Sequence, residues 1–314
     1  MKVLVTGANG FAGRNLVRAI GKRGWEVVSC VRQGGGSLSC SELRYLPDDG
    51  DYSGLLRDVD AVVHAAGVAH QTGGDATILA EAFRCGNVEL TRSLADAVAL
   101  SEVHALIHIS SIAAAGYTEF SGGDGLSESQ QAQPKSDYGK SKREAEQFVE
   151  NLGEIGKLGV NLRPPLIYGQ GARGNWPKLV KLAESSFVLP FGSVSNRRSF
   201  LGIENLCDLV IGILEQSQDH QKSGTYHVAD EGVVSLREVV AAVRLGLDRK
   251  PGLLPFPAAI LAGTLKCMGR ATMSDGLFAD LVVDGSKVKA AFAWNPVKST
   301  LKEMECSVRA LADL

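Results

Sequence analysis

A tyrosine and a lysine lie four residues apart in the stretch YGKSK, which begins at Tyr138. On a helix this spacing puts both side chains on one face. An ammonium close to a phenol favours the phenolate and lowers the phenol pKa from about 10. Tyr138 would then act as a general acid or base near neutral pH, with Lys142 beside it. The alternative is surface decoration, because such a pair is common on exposed helices.

A pair of serines ends the stretch IHISS, directly after the apolar run Ala105–Ile109. The run predicts a buried strand. Ligands of open parallel sheets bind at the carboxyl ends of the strands. A hydroxyl of Ser110 or Ser111 could therefore hydrogen-bond a substrate hydroxyl or carbonyl, unless it merely caps a helix or completes a turn.

Three glycines, Gly7, Gly10 and Gly13, follow the apolar run Lys2–Thr6 and precede a helical pattern from Arg14. Glycines permit positive φ and let backbone N–H groups approach a pyrophosphate at the start of the helix. The last glycine also lets the helix pack closely against the strand. The spacing differs from the common G-x-G-x-x-G, and a plain tight turn is the competing interpretation.

The elements that must position these residues alternate between strands and helices through the first half of the chain. This alternation predicts an α/β fold, a doubly wound parallel (Rossmann) sheet covered on both faces. We expect a dinucleotide-binding domain over residues 1–168, with later segments around 200–230 returning to it. Residues 169–314 would mainly form a smaller, interleaved substrate-binding domain. The predicted strands are 3–6, 26–31, 61–64, 105–110, 160–163 and 225–228.

Composition excludes several classes of protein. The 314 residues carry a net charge of −2 without a basic stripe, which argues against a nucleic-acid partner. The six cysteines have neither metal-ligand nor redox spacing, so we expect a reducing compartment and no metal. The N-terminus shows no signal peptide, and no apolar stretch is long enough to span a bilayer. A cytoplasmic protein is the expectation.

Together these motifs resemble the extended short-chain dehydrogenase/reductases, in the sugar-nucleotide epimerase/dehydratase branch. The resemblance implies that Tyr138 is the catalytic acid/base, that Lys142 holds a nicotinamide ribose, and that Ser111 is the catalytic Ser/Thr. The matching stretches are VTGANGFAG, VDAVVHAAG, NVELTRSLADA, HISSIAAAG, YGKSK and LRPPLIYGQG.

The resemblance also implies a set of cofactor-binding residues. Asn87 matches the asparagine that supports the central helix. The remaining positions are Gly7, Asn9, Gly10, Phe11, Ala12 and Gly13 in the first turn, Ala65, Ala66 and Gly67 after a later strand, Ser110 beside the nicotinamide, and Pro165 behind it.

The choice of cofactor depends on the end of the second strand. An acidic residue there would bind the ribose 2′-OH, and this chain has Val31 instead. Arg32 follows and could grip a 2′-phosphate, with the loop of Gly34, Gly35 and Gly36 closing around it. We therefore expect NADP(H), with NAD(H) as the alternative and a stacked or solvated Arg32 as the competing interpretation.

Two residues of the second half resemble substrate contacts. Asn175 matches a nucleotide-diphosphate contact, and Arg198 matches the diphosphate-binding arginine, although a solvated basic turn is the competing interpretation. The chain departs from the family pattern at Asn205, which replaces the aspartate of V-x-D-L. Residues 274–284, where the family has its second diphosphate-binding arginine, contain no arginine, and Arg270 is the nearest one.

The favoured function is C4 keto-reduction of a UDP-linked 4-keto-hexose, 6-deoxy or N-acetylated, in surface-polysaccharide precursor synthesis. The alternatives are a UDP-glucose or UDP-GlcNAc 4-epimerase and, from another class, a catalytically dead NAD(P)-sensing regulator. The intact Ser111, Tyr138 and Lys142 argue against the regulator. A homodimer would form through the helices predicted over Ala76–Leu100 and Ser136–Leu152.

Overall fold

The computed structural model describes residues 1–32, 42–47, 51–69, 75–116 and 125–312. The predicted glycine-rich loop at 33–41, with Gly34, Gly35 and Gly36, lies outside the described residues. So does the first part of the loop that leads from residue 117 towards Tyr138.

Seven parallel strands form the central sheet. They are β1 (Lys2–Thr6), β2 (Glu26–Val31), β3 (Glu42–Tyr45), β4 (Ala61–His64), β5 (Ala105–Ile109), β6 (Leu158–Arg163) and β9 (Gly224–His227). Their order is β3-β2-β1-β4-β5-β6-β9, which reverses direction between β1 and β4. Such a reversal is the point where doubly wound sheets bind ligands. The predicted doubly wound fold is confirmed. Two further strands, β7 (Leu166–Tyr168) and β8 (Phe200–Gly202), pair with each other.

Helices connect and cover the strands. The first half contains α1 (Phe11–Lys22), α2 (Ala76–Phe83), α3 (Leu90–Ala99) and α4 (Asp137–Glu150). The second half contains α5 (Asn175–Ala183), α6 (Ile203–Leu214), α7 (Leu236–Gly246), α8 (Ala258–Cys267), α9 (Ala271–Phe278), α10 (Ser286–Phe292) and α11 (Thr300–Ala312). The helix predicted over 76–100 is interrupted by a π-helical segment, Arg84–Glu89, between α2 and α3. Short 3₁₀ turns include Ile112–Ala114, directly after Ser111.

The strands are apolar on both faces because helices cover both sides of the sheet. On one face Val3 and Val5 pack with Leu16 of α1, and α6 joins the same core. On the other face Leu4 and Leu106 pack with residues of α3 and α4. These two cores fix the carboxyl ends of β1, β4 and β5 as one rigid edge.

The second half has a core of its own around Tyr168 and Trp176, which packs with α5, α7 and α11. Asp230 ties it to β8 and α6, because the Asp230 carboxylate accepts hydrogen bonds from the Tyr168 hydroxyl at 2.8 Å, from the Gly202 amide of β8 at 3.0 Å and from Asn205 Nδ2 of α6 at 2.8 Å. Asn205, which replaces the aspartate of the family pattern, thus helps to hold Asp230 in place. The domain boundary near residue 168 stays a prediction.

Candidate active site

The turn between β1 and α1 is closed by backbone contacts that leave no room for a side chain at Gly7 or Gly13. The Gly10 amide donates to the Gly7 carbonyl at 2.8 Å. Gly7 has a φ of +66°, and a Cβ there would lie 2.7 Å from the backbone N of Ala66. A Cβ at Gly13 would lie 2.2 Å from the Gly7 carbonyl oxygen. The turn needs glycine, and it contacts the chain that leaves β4.

This turn fits the diphosphate of a dinucleotide. Helix α1 begins at Phe11, and its N-cap residue, Gly10, makes no side-chain capping bond. The first-turn N–H groups can therefore serve an anion, as helix N-termini do for phosphates. Asn9 comes directly before the N-cap, and Ala12 is the second residue of the helix. The close backbone approach at Gly7 and Gly13, together with these N–H groups, is why we expect the diphosphate of the predicted cofactor at this turn.

At the carboxyl end of β2, Val31 is buried and Arg32 is exposed. The ten residues after Val31 contain neither Asp nor Glu. Arg32 directly follows β2, at the strand end where the resemblance puts the adenosine ribose. Its contact with a 2′-phosphate stays a prediction.

Asn87 joins the chain after β4 to helix α4. Its Oδ1 accepts from the Val68 amide at 2.8 Å, and its Nδ2 donates to the Val68 carbonyl at 3.1 Å and to Ser141 Oγ at 3.0 Å. Gly67 is thereby pressed against α4, since a Cβ there would lie 3.3 Å from Lys142 Nζ. Ala65, Ala66 and Gly67 thus line the edge between the glycine turn and the lysine. Asn87 lies in the π-helical segment, a feature often found at functional sites.

The start of α4 is locked against the turn that follows Ser111. A Cβ at Gly139 would lie 2.4 Å from the Ala113 carbonyl oxygen, so these two segments are in direct contact. Tyr138, half-buried, precedes Gly139 and packs against Phe83 with ring centroids 5.8 Å apart. Ser111 Oγ accepts from the Ala113 amide at 3.2 Å, which leaves its hydroxyl hydrogen able to donate. The structure brings the elements that carry Ser111 and Tyr138 together.

Lys142 is buried one turn after Tyr138. Its Nζ lies 3.0 Å from the Ile109 carbonyl oxygen and 3.1 Å from His108 Nε2. Burial lowers the Lys142 pKa to about 8, opposed by the negative charge of Glu146. The ammonium form still dominates at neutral pH, so its charge can favour the Tyr138 phenolate.

Ser110 makes a different contact from Ser111. Its hydroxyl donates to Glu146 Oε1 at 2.6 Å, inside the protein. Glu146 is fully buried and also pairs with Arg163 through two hydrogen bonds of 2.8 and 2.7 Å. The predicted contact of Ser110 with a nicotinamide stays a prediction, and its hydroxyl is already engaged with Glu146. The sequence motifs do not point to Glu146, although it continues the four-residue spacing from Tyr138 and Lys142.

The predicted substrate contacts belong to the second half. Asn175 is exposed as the first residue of α5. Arg198 is half-buried, and its Nη1 donates to the carbonyls of Ala279 at 2.8 Å and Asp275 at 3.3 Å. The guanidinium is thus anchored at the end of α9. Pro165 is buried just before β7.

Two further properties bear on the chemistry. Within the described ranges, no three His, Cys, Asp or Glu residues come together as metal ligands. In the same ranges, no helix is long and apolar enough to cross a membrane.

Comparison with known proteins identifies the family. The profile of the NAD dependent epimerase/dehydratase family matches residues 3–229. The chain therefore belongs to this family of extended short-chain dehydrogenase/reductases, which confirms the resemblance drawn from the motifs.

Individual relatives include both epimerases and reductases. A UDP-glucose 4-epimerase of Vibrio cholerae is 32% identical over 96% of this chain and 92% of its own length. A UDP-2-acetamido-2,6-beta-L-arabino-hexul-4-ose reductase of Pseudomonas aeruginosa is 36% identical, over 57% of this chain and 39% of its own length. The fold matches a crystal structure of a Bacillus cereus UDP-glucuronic acid 4-epimerase in complex with NAD. That match has a TM-score of 0.77, covers 100% of this chain and 97% of the other, and has 20% sequence identity.

Proposed function

We propose that this enzyme reduces the C4 ketone of a UDP-linked 4-keto-hexose, with NADPH as the preferred cofactor. The observation that carries the choice of reductase is the end of β2, where Val31 is buried, Arg32 is exposed and the ten residues after Val31 contain neither Asp nor Glu. A reductase consumes and exchanges its cofactor, which suits NADPH, whereas an epimerase recycles one NAD⁺ in place. The P. aeruginosa relative is a reductase by name.

The side chains of the site support this reaction. The cofactor supplies the hydride when it is bound. Tyr138 donates a proton to the C4 oxygen, and the Lys142 ammonium stabilises the resulting phenolate. Ser111 donates a hydrogen bond that orients the same oxygen. The phenol is then reprotonated from solvent, so the net change is one hydride and one proton added to the carbonyl.

On the substrate side, we propose that Arg198 and Asn175 bind the diphosphate of the nucleotide. The bonds of Nη1 to the carbonyls of Ala279 and Asp275 hold the guanidinium at the end of α9, and a guanidinium fork suits phosphate oxygens. Asn175 lies at the N-terminus of α5, an end that favours anions.

A 4-epimerase is the second candidate, because the V. cholerae relative that matches nearly the whole chain is named a UDP-glucose 4-epimerase. The same Tyr138, Lys142 and Ser111 would serve it, with the proton moving in both directions. The two candidates differ in cofactor consumption, since a 4-epimerase has no net turnover of NAD(P)H.

We also propose a homodimer through the predicted helices Ala76–Leu100 and Ser136–Leu152. Ile78 supports it, because this large apolar side chain is 71% exposed on α2. Light scattering on the purified protein would measure the mass, and Ile78→Asp should shift a dimer to monomer. A monomeric wild type would refute this assembly.

The functional test is a panel of UDP-4-keto sugars and UDP-hexoses offered with NADPH or NADH. We expect stoichiometric oxidation of NADPH with a 4-keto sugar, abolished in Tyr138→Phe. Dissociation constants of both cofactors, in wild type and Arg32→Ala, test the cofactor assignment. Tighter binding of NADH by the wild type, with interconversion of UDP-hexoses and no cofactor consumption, would establish the epimerase instead.

A further inference from the structure

A buried histidine contacts the lysine of the site. His108 lies within β5, fully buried, and its Nε2 is 3.1 Å from Lys142 Nζ. The carbonyl of the next residue, Ile109, is 3.0 Å from the same nitrogen. Two acceptors from consecutive positions of one strand thus hold the ammonium, which leaves its third N–H for the site.

The hydrogen-bond network fixes which ring nitrogen of His108 carries the proton. Asn161 Nδ2 donates to the Glu146 carbonyl at 2.9 Å, so Asn161 Oδ1 is the atom that faces His108. That oxygen is 2.8 Å from His108 Nδ1 and can only accept. The proton of His108 is therefore on Nδ1, and Nε2 directs a lone pair at Lys142.

A second buried histidine stacks on the first. The rings of His64 and His108 are 5.4 Å apart between centroids. Thr91 donates its hydroxyl proton to the Asn87 carbonyl at 2.6 Å, so it must accept from His64 Nε2, 3.0 Å away. His64 therefore carries its proton on Nε2, the opposite tautomer to His108.

Both rings stay neutral over the working pH range. Burial lowers the His64 pKa to about 3, and the Lys142 charge acts in the same direction. Burial also holds the His108 pKa well below its usual value, helped by Lys142 and His64. Among the described residues, the titratable groups that act on the ammonium are these two histidines of the sheet and Glu146 of its own helix. Tyr138 lies one turn before Lys142 on that helix. His108 is thus a permanent acceptor rather than a switch.

We propose that His108 is a positioning residue: as the neutral Nδ1–H tautomer, it holds the Lys142 ammonium where that charge lowers the pKa of the Tyr138 phenol. This inference rests on the proposed roles of Tyr138 and Lys142 and gives a role to His108, a residue to which the motif HISSIAAAG assigns none. The competing role is packing, in which the ring of His108 only fills space against His64.

Two substitutions separate positioning from packing. His108→Phe keeps a ring that can stack on His64 but removes the acceptor. His108→Gln loses the ring but can offer its amide oxygen to Lys142. Without the acceptor the buried ammonium is less stable, because the bond from a charged donor is lost, and the Lys142 pKa falls further.

The readout is the Tyr138 phenol pKa, measured by ultraviolet difference titration of each protein against the same protein carrying Tyr138→Phe. In His108→Phe we expect this pKa to rise towards its ordinary value of about 10, and in His108→Gln to stay close to that of the wild type. The dissociation constant for NADPH should rise about tenfold in His108→Phe. A folded His108→Phe with the wild-type Tyr138 pKa would overturn the proposal.

A measurement on the wild type covers the case in which a variant does not fold. Long-range ¹H–¹⁵N spectra of the imidazoles report which nitrogen is protonated. We expect Nδ1–H for His108 and Nε2–H for His64. A proton on His108 Nε2 would overturn the proposal, because that nitrogen could not accept from Lys142. The phenol titration and the imidazole spectra need neither sugar substrate nor cofactor, so failure of the proposed function would leave both unaffected.

Discussion

The glycine turn makes a sharp prediction because two glycines of one helix meet different surroundings. In Gly13→Ala the new methyl would lie 2.2 Å from the Gly7 carbonyl oxygen and 2.9 Å from Ala8 Cα. In Gly21→Ala, near the other end of α1, a Cβ would have no heavy atom within 4 Å. The same chemical change therefore forces the helix to move in one case and not in the other.

The magnitude follows from the distances. Ordinary contacts begin at 3.4 Å, so the start of α1 must retreat by about 1 Å in Gly13→Ala. Overpacking of this kind costs about 1–3 kcal/mol, and the better helix propensity of alanine offsets up to about 1 kcal/mol. The N–H groups at Phe11 and Ala12 move away from the proposed diphosphate site. Losing one hydrogen bond to a charged group weakens cofactor affinity about tenfold or more.

Isothermal titration with NADPH and a thermal unfolding curve measure both consequences. We expect Gly13→Ala to bind the cofactor at least about tenfold more weakly and to be less stable. Gly21→Ala should keep the wild-type affinity and be equally stable or slightly more so. Equal cofactor affinities in the two variants would refute the assignment of this turn to the diphosphate.

Three further predictions concern the site and its support. Tyr138→Phe should lose at least about a hundredfold in rate with unchanged NADPH affinity, and a smaller loss would refute the general-acid role. Arg198→Ala should raise the KM for the sugar nucleotide about tenfold and leave the cofactor affinity unchanged. Arg197 is exposed, so Arg197→Ala should have the wild-type KM. If Arg198→Ala also has the wild-type KM, Arg198 does not bind the diphosphate. Glu146→Gln should destabilise the protein by about 3–5 kcal/mol in chemical denaturation, since it leaves a buried arginine unpaired. The exposed Glu144→Gln on the same helix should not, and equal denaturation midpoints would contradict the importance of this ion pair.

Most of the central sheet could be predicted because its strands are continuous apolar runs. The edge strand β3 (Glu42–Tyr45) was missed because its residues alternate between half-buried and exposed and include two charges. Strands β7 and β8 have three residues each, too short for a periodic signal. The π-helical segment Arg84–Glu89 reads as ordinary helix, because its extra residue per turn does not change the residue types.

Some residues of the candidate site could likewise be predicted from the sequence, and others could not. Ser111, Tyr138 and Lys142 could be proposed from sequence because each lies at the end of a strand or the start of a helix, in a recognisable stretch. His108 and Asn161 could not, since each lies inside an apolar strand and they meet only across the β5–β6 pairing. Pairing between side chains of neighbouring strands depends on register, which local patterns do not encode.

The most direct test of the proposed reaction is the fate of the transferred hydride. The enzyme would be given NADPH deuterated at the transferring position of the nicotinamide, together with the UDP-4-keto-hexoses of the panel, and the products analysed by NMR. The reductase account predicts deuterium at C4 of a single product epimer, one equivalent of NADP⁺ formed, and neither outcome in Tyr138→Phe. Sugar products without deuterium and with no NADPH consumed, in a protein shown to bind the cofactor, would contradict it.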